Sequence, residues 1–156
     1  MSKSTYLKPE YFYNRELSWL SFDYRILGEA QDKTIPLLDR LKFLSITASN
    51  LDEFYMVRVA SLKDMVHAEY DKKDIAGMTP AKQLEEISKV THEFMNDQYR
   101  TYNNSLIPAL KKEGIAILSQ YEDLSQKQAK FVDNYFKSEV YPVLTPMAVD
   151  SSRPFP

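Results

Sequence analysis

Cysteine is absent from the 156 residues, which excludes disulfide frameworks, cysteine-ligated zinc and thiol nucleophiles. Glycine occurs only three times, at Gly28, Gly77 and Gly114, so there is no glycine-rich phosphate loop. GxSxG and HExxH patterns are missing as well. No sign of charge dominates: 20 basic and 22 acidic side chains leave a net charge of −2. Such a chain has no overall field to attract DNA, RNA or another polyanion, and a polyanion would need a local patch. No apolar run approaches the roughly 18 residues of a membrane span. The first residues, MSKSTYLKPEYFYNRELS, lack the apolar centre of a signal peptide. A soluble cytoplasmic chain is the expectation. Histidine is limited to His67 and His92, far apart among polar neighbours, a poor pair for metal binding.

What remains is ordinary globular composition, 44% hydrophobic and 27% charged. The length allows one domain, or one small domain and part of another. Asn14 suits the cap of a first helix, in which Leu17, Leu20, Tyr24 and Leu27 recur at steps of three and four. Trp19, Phe22 and Ile26 widen the stripe and predict a mostly buried helix. Gly28 inside it implies a close helix crossing. Pro36 suits the first position of a second helix, preceded by Thr34 or Ile35. Leu37, Leu38, Leu41, Leu44 and Ala48 then keep helical spacing up to the hexapeptide SNLDEF (Ser49 to Phe54), and Leu51, Phe54, Tyr55, Arg58, Val59, Leu62, Met65 and Val66 carry the period on. This is two helices, or one broken helix. A charged loop, EYDKKDIAGM, leads to Thr79 and Pro80, which read as cap and first turn of a long helix running toward Gly114, with Pro108 predicting a kink or a restart at Ser105.

Beyond Gly114, IAILSQ and VYPVLTPMAV resemble short buried strands flanking a helix opened by Ser125. Two strands and a helix do not complete a sheet domain. The expected fold is mainly α: an antiparallel helical bundle over residues 1–113, then the incomplete beginning of an α/β or α+β domain over residues 114–156, ending unclosed at SSRPFP.

The hexapeptide carries the most unusual polar residues. Asp52 and Glu53 are neighbours whose side chains diverge by about 100° on a helix, which rules them out as a self-contained acid and base pair. They also lack supporting metal ligands. Asn50 with Glu53 three positions later matches a capping box, so the group reads as a helix start. A helix start also suits a ligand, and a neutral contact to a base or ribose fits better than a phosphate beside two carboxylates. The aromatic stretch YLKPEYFY reads as packing, not as a single-strand nucleic-acid platform. Arg15, Arg25, Arg40, Lys42, Arg58 and Lys63 form either a basic patch or a set of surface ion pairs.

Two stretches carry a resemblance. NRELSWLSFDYRILGEAQDKTIPLLDRLKFLSITASNLDEFYMVRVASLK resembles the amino-terminal helical domain of bacterial polyphosphate kinases of the first type. YPVLTPMAVDSSRPFP resembles the start of their next, head domain. The resemblance implies a large enzyme that reversibly moves the terminal phosphate of ATP onto polyphosphate through a phosphohistidine, with Mg2+ bound outside this segment. It implies catalytic histidines in carboxyl-terminal domains, so neither His67 nor His92 inherits a catalytic role and no metal ligand is expected here. The Asn preceding Leu-Asp-Glu-Phe is an ATP contact in that family, which carries over to Asn50 alone, on the adenine side. A homo-oligomer with ATP, ADP and polyphosphate as partners is implied, with no nucleic acid. The alternative is a helical docking module for other domains or subunits, without a ligand of its own.

Overall fold

The computed structural model describes residues 6–149. The chain divides into two compact units, Met1–Ala116 and Ile117–Pro156.

The first unit is built from three helical rods. A short 3-10 turn, Pro9–Tyr11, precedes α1, Arg15–Gln31. The Asn14 side chain opens α1 by accepting the amides of Glu16 and Leu17, both at 3.0 Å. A five-residue connection, in which Asp32 accepts the amide and the hydroxyl of Thr34 at 2.8 Å, leads to the second rod. That rod starts one residue later than expected, with Pro36 as its cap. It consists of α2 (Leu37–Phe54), a π-helical turn (Tyr55–Val59) and α3 (Ala60–His67). The third rod is α4 (Pro80–Thr101), a second π turn (Tyr102–Leu106) and α5 (Ile107–Lys112).

The π turns follow from the spacing of the buried residues. In the second rod the buried positions Leu44, Thr47, Leu51 and Phe54 recur at three or four, then jump by five to Val59 before Leu62. In the third rod Ile87, Thr91, Phe94, Gln98 and Thr101 are followed by a jump of five to Leu106. A helix of 3.6 residues per turn would rotate such a residue off the core. One wide turn absorbs the extra position, and Ala60 N–H bonds Tyr55 O while Ile107 N–H bonds Tyr102 O. Pro108 therefore marks a widened turn through Ser105, not a break.

Side-chain pairs give the helix directions. Glu16 meets Arg58, Trp19 stacks on Phe54 and Asp23 meets Asn50, so the second rod runs antiparallel to α1. Tyr24 packs edge-on against Phe94 and Gln31 bonds Thr101, so α4 runs parallel to α1. Gln98 with Thr47 and Ser105 with Arg40 set it antiparallel to α2. Leu20, Leu27, Ala30, Phe54, Ile87, Phe94 and Leu106 form the centre of the core.

The caps read from sequence are present at Thr79, which accepts the Lys82 amide, and at Gly114. There φ is +81° and the amides of Gly114 and Ile115 bond Lys111 O and Leu110 O, a Schellman ending. Gly28 is different: a Cβ there would meet nothing within 4 Å, so it marks no close crossing. Its exposed position leaves the crossing to Leu27 and Ala30. Phe22, expected inside, is 51% exposed.

The second unit holds a 3-10 turn (Tyr121–Asp123), α6 (Gln126–Tyr135), a third π turn (Phe136–Val140) and a last 3-10 turn (Tyr141–Val143). Ser125 and Gln128 form the complete capping box of α6. IAILSQ and VYPVLTPMAV, expected as strands, form none among the described residues. Their apolar residues are exposed apart from the half-buried Val140, and a strand exists only when a neighbour exchanges backbone hydrogen bonds with it. SSRPFP lies outside the described residues. No described helix is long and apolar enough to cross a membrane.

Candidate functional site

Asn50 is not a helix start. It lies inside α2, four residues before the helix passes into its π turn, so the capping box with Glu53 does not form. The N-x-x-E pattern is local, whereas the amide of Asn50 is engaged at long range: its Nδ2 donates to Asp23 Oδ1 at 2.9 Å. Asp52 and Glu53 diverge as the helix geometry requires. Asp52 borders an apolar hollow with Ala48, Met95 and Tyr99, between α2 and α4. Glu53 borders the same cleft as Asn50.

That cleft, of about 240 Å3, lies between α1 and the second rod and is lined by Trp19, Phe22, Asn50, Glu53, Phe54, Val57 and Arg58. Trp19 and Phe54 stack at 4.6 Å between centroids with planes 9° apart. The first π turn brings Val57 and Arg58 to the rim. A second hollow continues from Trp19, Phe22 and Arg58 toward Arg15, Glu16 and Ser18.

The charged end of the cleft is built on Glu16, whose side chain is 7% exposed. Arg58 grips it with two bonds, Nε to Oε2 at 3.0 Å and Nη2 to Oε1 at 2.7 Å, and Arg15 adds Nη2 to Oε1 at 2.9 Å. A forked guanidinium suits this two-oxygen geometry. Beneath the cleft Asp23 is fully buried. Its Oδ2 has no partner, and burial, only partly offset by the Asn50 bond, lifts its pKa to about 6.

The six basic residues considered above do not gather into one patch. Arg15 and Arg58 serve Glu16, and Arg40 is buried, donating to Ala30 O at 2.9 Å and Ser105 Oγ at 2.8 Å. That places a cation at the carboxyl end of α1, where the helix dipole favours it. His92 bonds the carbonyl of Ser88 one turn earlier, and His67 lies in the last turn of α3. Among the described residues no group of three or more His, Asp or Glu is placed to hold a metal ion.

Residues 12–118 match the polyphosphate kinase N-terminal domain, and residues 127–156 match the polyphosphate kinase middle domain. The chain belongs to the polyphosphate kinase family. It is 56% identical to the polyphosphate kinase of Lactiplantibacillus plantarum over 151 residues, covering 97% of this chain and 21% of the relative. To that of Bacillus anthracis it is 54% identical over 147 residues, covering 94% of this chain and 21% of the relative. The crystal structure of polyphosphate kinase from Porphyromonas gingivalis superposes with a TM-score of 0.74 at 33% identity, over 87% of this chain and 19% of that one. The chain thus spans about a fifth of the length of the curated relatives it matches.

Within this polyphosphate kinase segment, sequence reasoning named Asn50 and Arg58 but missed their setting. Trp19 and Phe22 were read as part of the buried stripe of the first helix, and Glu16 and Asp23 were not singled out. One signal was available: Glu16 and Asp23 lie seven apart in a helix whose stripe also holds Leu20 and Leu27, so the periodicity put both carboxylates on the buried face.

Proposed function

We propose that this chain is the amino-terminal part of an enzyme that reversibly transfers the terminal phosphate of ATP to polyphosphate through a phosphohistidine, and that it walls the adenine side of the ATP site with Asn50. Family membership supports the reaction, and the position of Asn50 supports the contact. The observation that carries this reading is that Asn50 borders a cleft walled by Trp19, Phe22 and Phe54 and flanked by Arg58. Flat aromatic and apolar walls suit the face of a base, and one polar amide among them suits its edge.

The phosphoryl chemistry, which requires positioned phosphates and a metal, is assigned to the rest of the enzyme. So are Mg2+, the phosphohistidine and most of the polyphosphate path. A homo-oligomer working in the cytoplasm on ATP and ADP completes the reading.

The test is Asn50→Ala in the full-length protein containing this chain. The expected result is a KM for ATP raised about fivefold, the loss of one hydrogen bond of typical net strength, with kcat unchanged. An unchanged KM in a folded variant removes Asn50 from the site. Aspartate is the wrong replacement, because it would place a second carboxylate against Asp23.

The second unit favours an additional docking role. α6 buries none of its residues, and Phe131 is 70% and Tyr135 54% exposed. This reading expects the isolated chain to associate with the separately expressed remainder of the protein in sedimentation, and Phe131→Ser to weaken that association.

A further inference from the structure

Asp23 does not border the cleft, yet it controls the residue that does. Its side chain is fully buried in α1, and its Oδ1 takes the Nδ2 hydrogen of Asn50 at 2.9 Å across the α1 and α2 interface. An ionised carboxylate only accepts hydrogen bonds, so Asn50 must turn its NH2 group down toward Asp23. Its carbonyl oxygen then points the other way. That oxygen is not among the buried unpaired atoms, and Asn50 lines the cleft.

We propose that Asp23 is a positioning residue that locks the Asn50 amide with its carbonyl oxygen facing the cleft, making the cleft selective for a base edge that donates a hydrogen bond, the 6-amino group of adenine. This rests on the reading of Asn50 as a nucleotide contact.

The chemistry of the pair explains why a buried acid is kept here. Glutamine or serine would satisfy an amide in either orientation, because each both donates and accepts. A carboxylate allows one orientation only. Although burial lifts the pKa of Asp23 to about 6, the group stays ionised at pH 8. A purine with no substituent at position 6 presents no donor to the Asn50 oxygen, and a 6-keto group presents an acceptor at that position. Discrimination at such an edge arises because a site group loses its partner when the wrong base binds.

The experiment measures kcat/KM at pH 8 for ATP and for purine riboside 5′-triphosphate, which lacks the 6-amino group, using the full-length protein containing this chain. The natural protein is expected to prefer ATP by about fivefold to tenfold, the worth of one hydrogen bond, mainly in KM. Asp23→Leu, nearly isosteric and apolar at a buried position, frees the Asn50 amide to rotate. It is expected to bring the preference to about one through poorer use of ATP, with kcat for both substrates retained. Asp23→Ala is the second variant should leucine crowd the interface.

Equal use of the two triphosphates by the natural protein overturns the proposal without any variant. A folded Asp23 variant that keeps the preference also overturns it, as does one that loses both substrates equally, which marks a merely structural role. Asn50→Ala separates the two levels. If it leaves ATP use intact, the nucleotide reading itself fails. If it impairs ATP use while Asp23→Leu keeps the preference, only the positioning role fails.

Discussion

At the scale of single residues, the first unit keeps two acids out of water and treats them differently. Glu16 is held by two guanidinium groups, whereas Asp23 has one amide and an unpaired oxygen. Removing Arg58 leaves Glu16 buried with only Arg15, whose side chain is 78% exposed. Arg58→Ala is expected to cost about 2–3 kcal/mol, the worth of hydrogen bonds to a buried charge. Arg15→Ala is expected to cost under about 1 kcal/mol, as an exposed partner; urea unfolding of both variants checks the asymmetry. Asp23 gives a pH signature. Its folded pKa is raised from 3.8 to about 6, so between those values the folded chain holds a proton that the unfolded chain has lost. Stability from this group is therefore present at low pH and lost as pH rises through about 6. Asp23→Asn removes the titration. Its stability relative to the natural chain should improve by up to about 3 kcal/mol between pH 3 and pH 8, because each tenfold difference in proton affinity between the folded and unfolded chain is worth about 1.4 kcal/mol. A pH-independent difference would show that burial does not perturb Asp23.

At the scale of elements, the glycines and caps separate what was legible in the sequence from what was not. Asn14, Thr79, Ser125 and Gly114 were legible because their bonds reach no further than the next turn. Asn50 was not, for the same reason: its N-x-x-E context is a cap signal, but its partner Asp23 lies 27 residues earlier, and no local pattern reveals that. The jump of five in the buried positions at Val59 and Leu106 was hidden in the sequence, where apolar neighbours such as Tyr55 and Tyr102 fill the gap, and the structure shows it to be an inserted π position. The apolar runs after Gly114 looked like strands because β-branched residues favour them, but sequence alone does not supply a strand's neighbour. Glycine substitutions test this level. Gly28→Ala, in an exposed helix interior with open space around it, should stabilise by about 0.5–1 kcal/mol. Gly114→Ala should destabilise by about 1 kcal/mol or more, because alanine resists the positive φ of the Schellman ending. Thermal melts giving the same sign for both would contradict the two assignments.

At the scale of the molecule, the family and the mainly helical fold were legible because one long motif runs through both rods that frame the cleft. The cleft itself was not, since its wall joins α1 to a π turn more than 30 residues away in sequence. The three rods hold a buried polar pair between α1 and α2, the conspicuous carboxylates Asp52 and Glu53 border different hollows, and neither histidine lines the cleft. The central claim is that this wall borders the base of ATP. Photolabelling the full-length protein with 8-azido-ATP, followed by peptide mapping, tests it most directly. The account predicts ATP-competed label on peptides containing Trp19, Phe22 or the stretch from Asn50 to Arg58. Competed label found only outside residues 1–156 would contradict it.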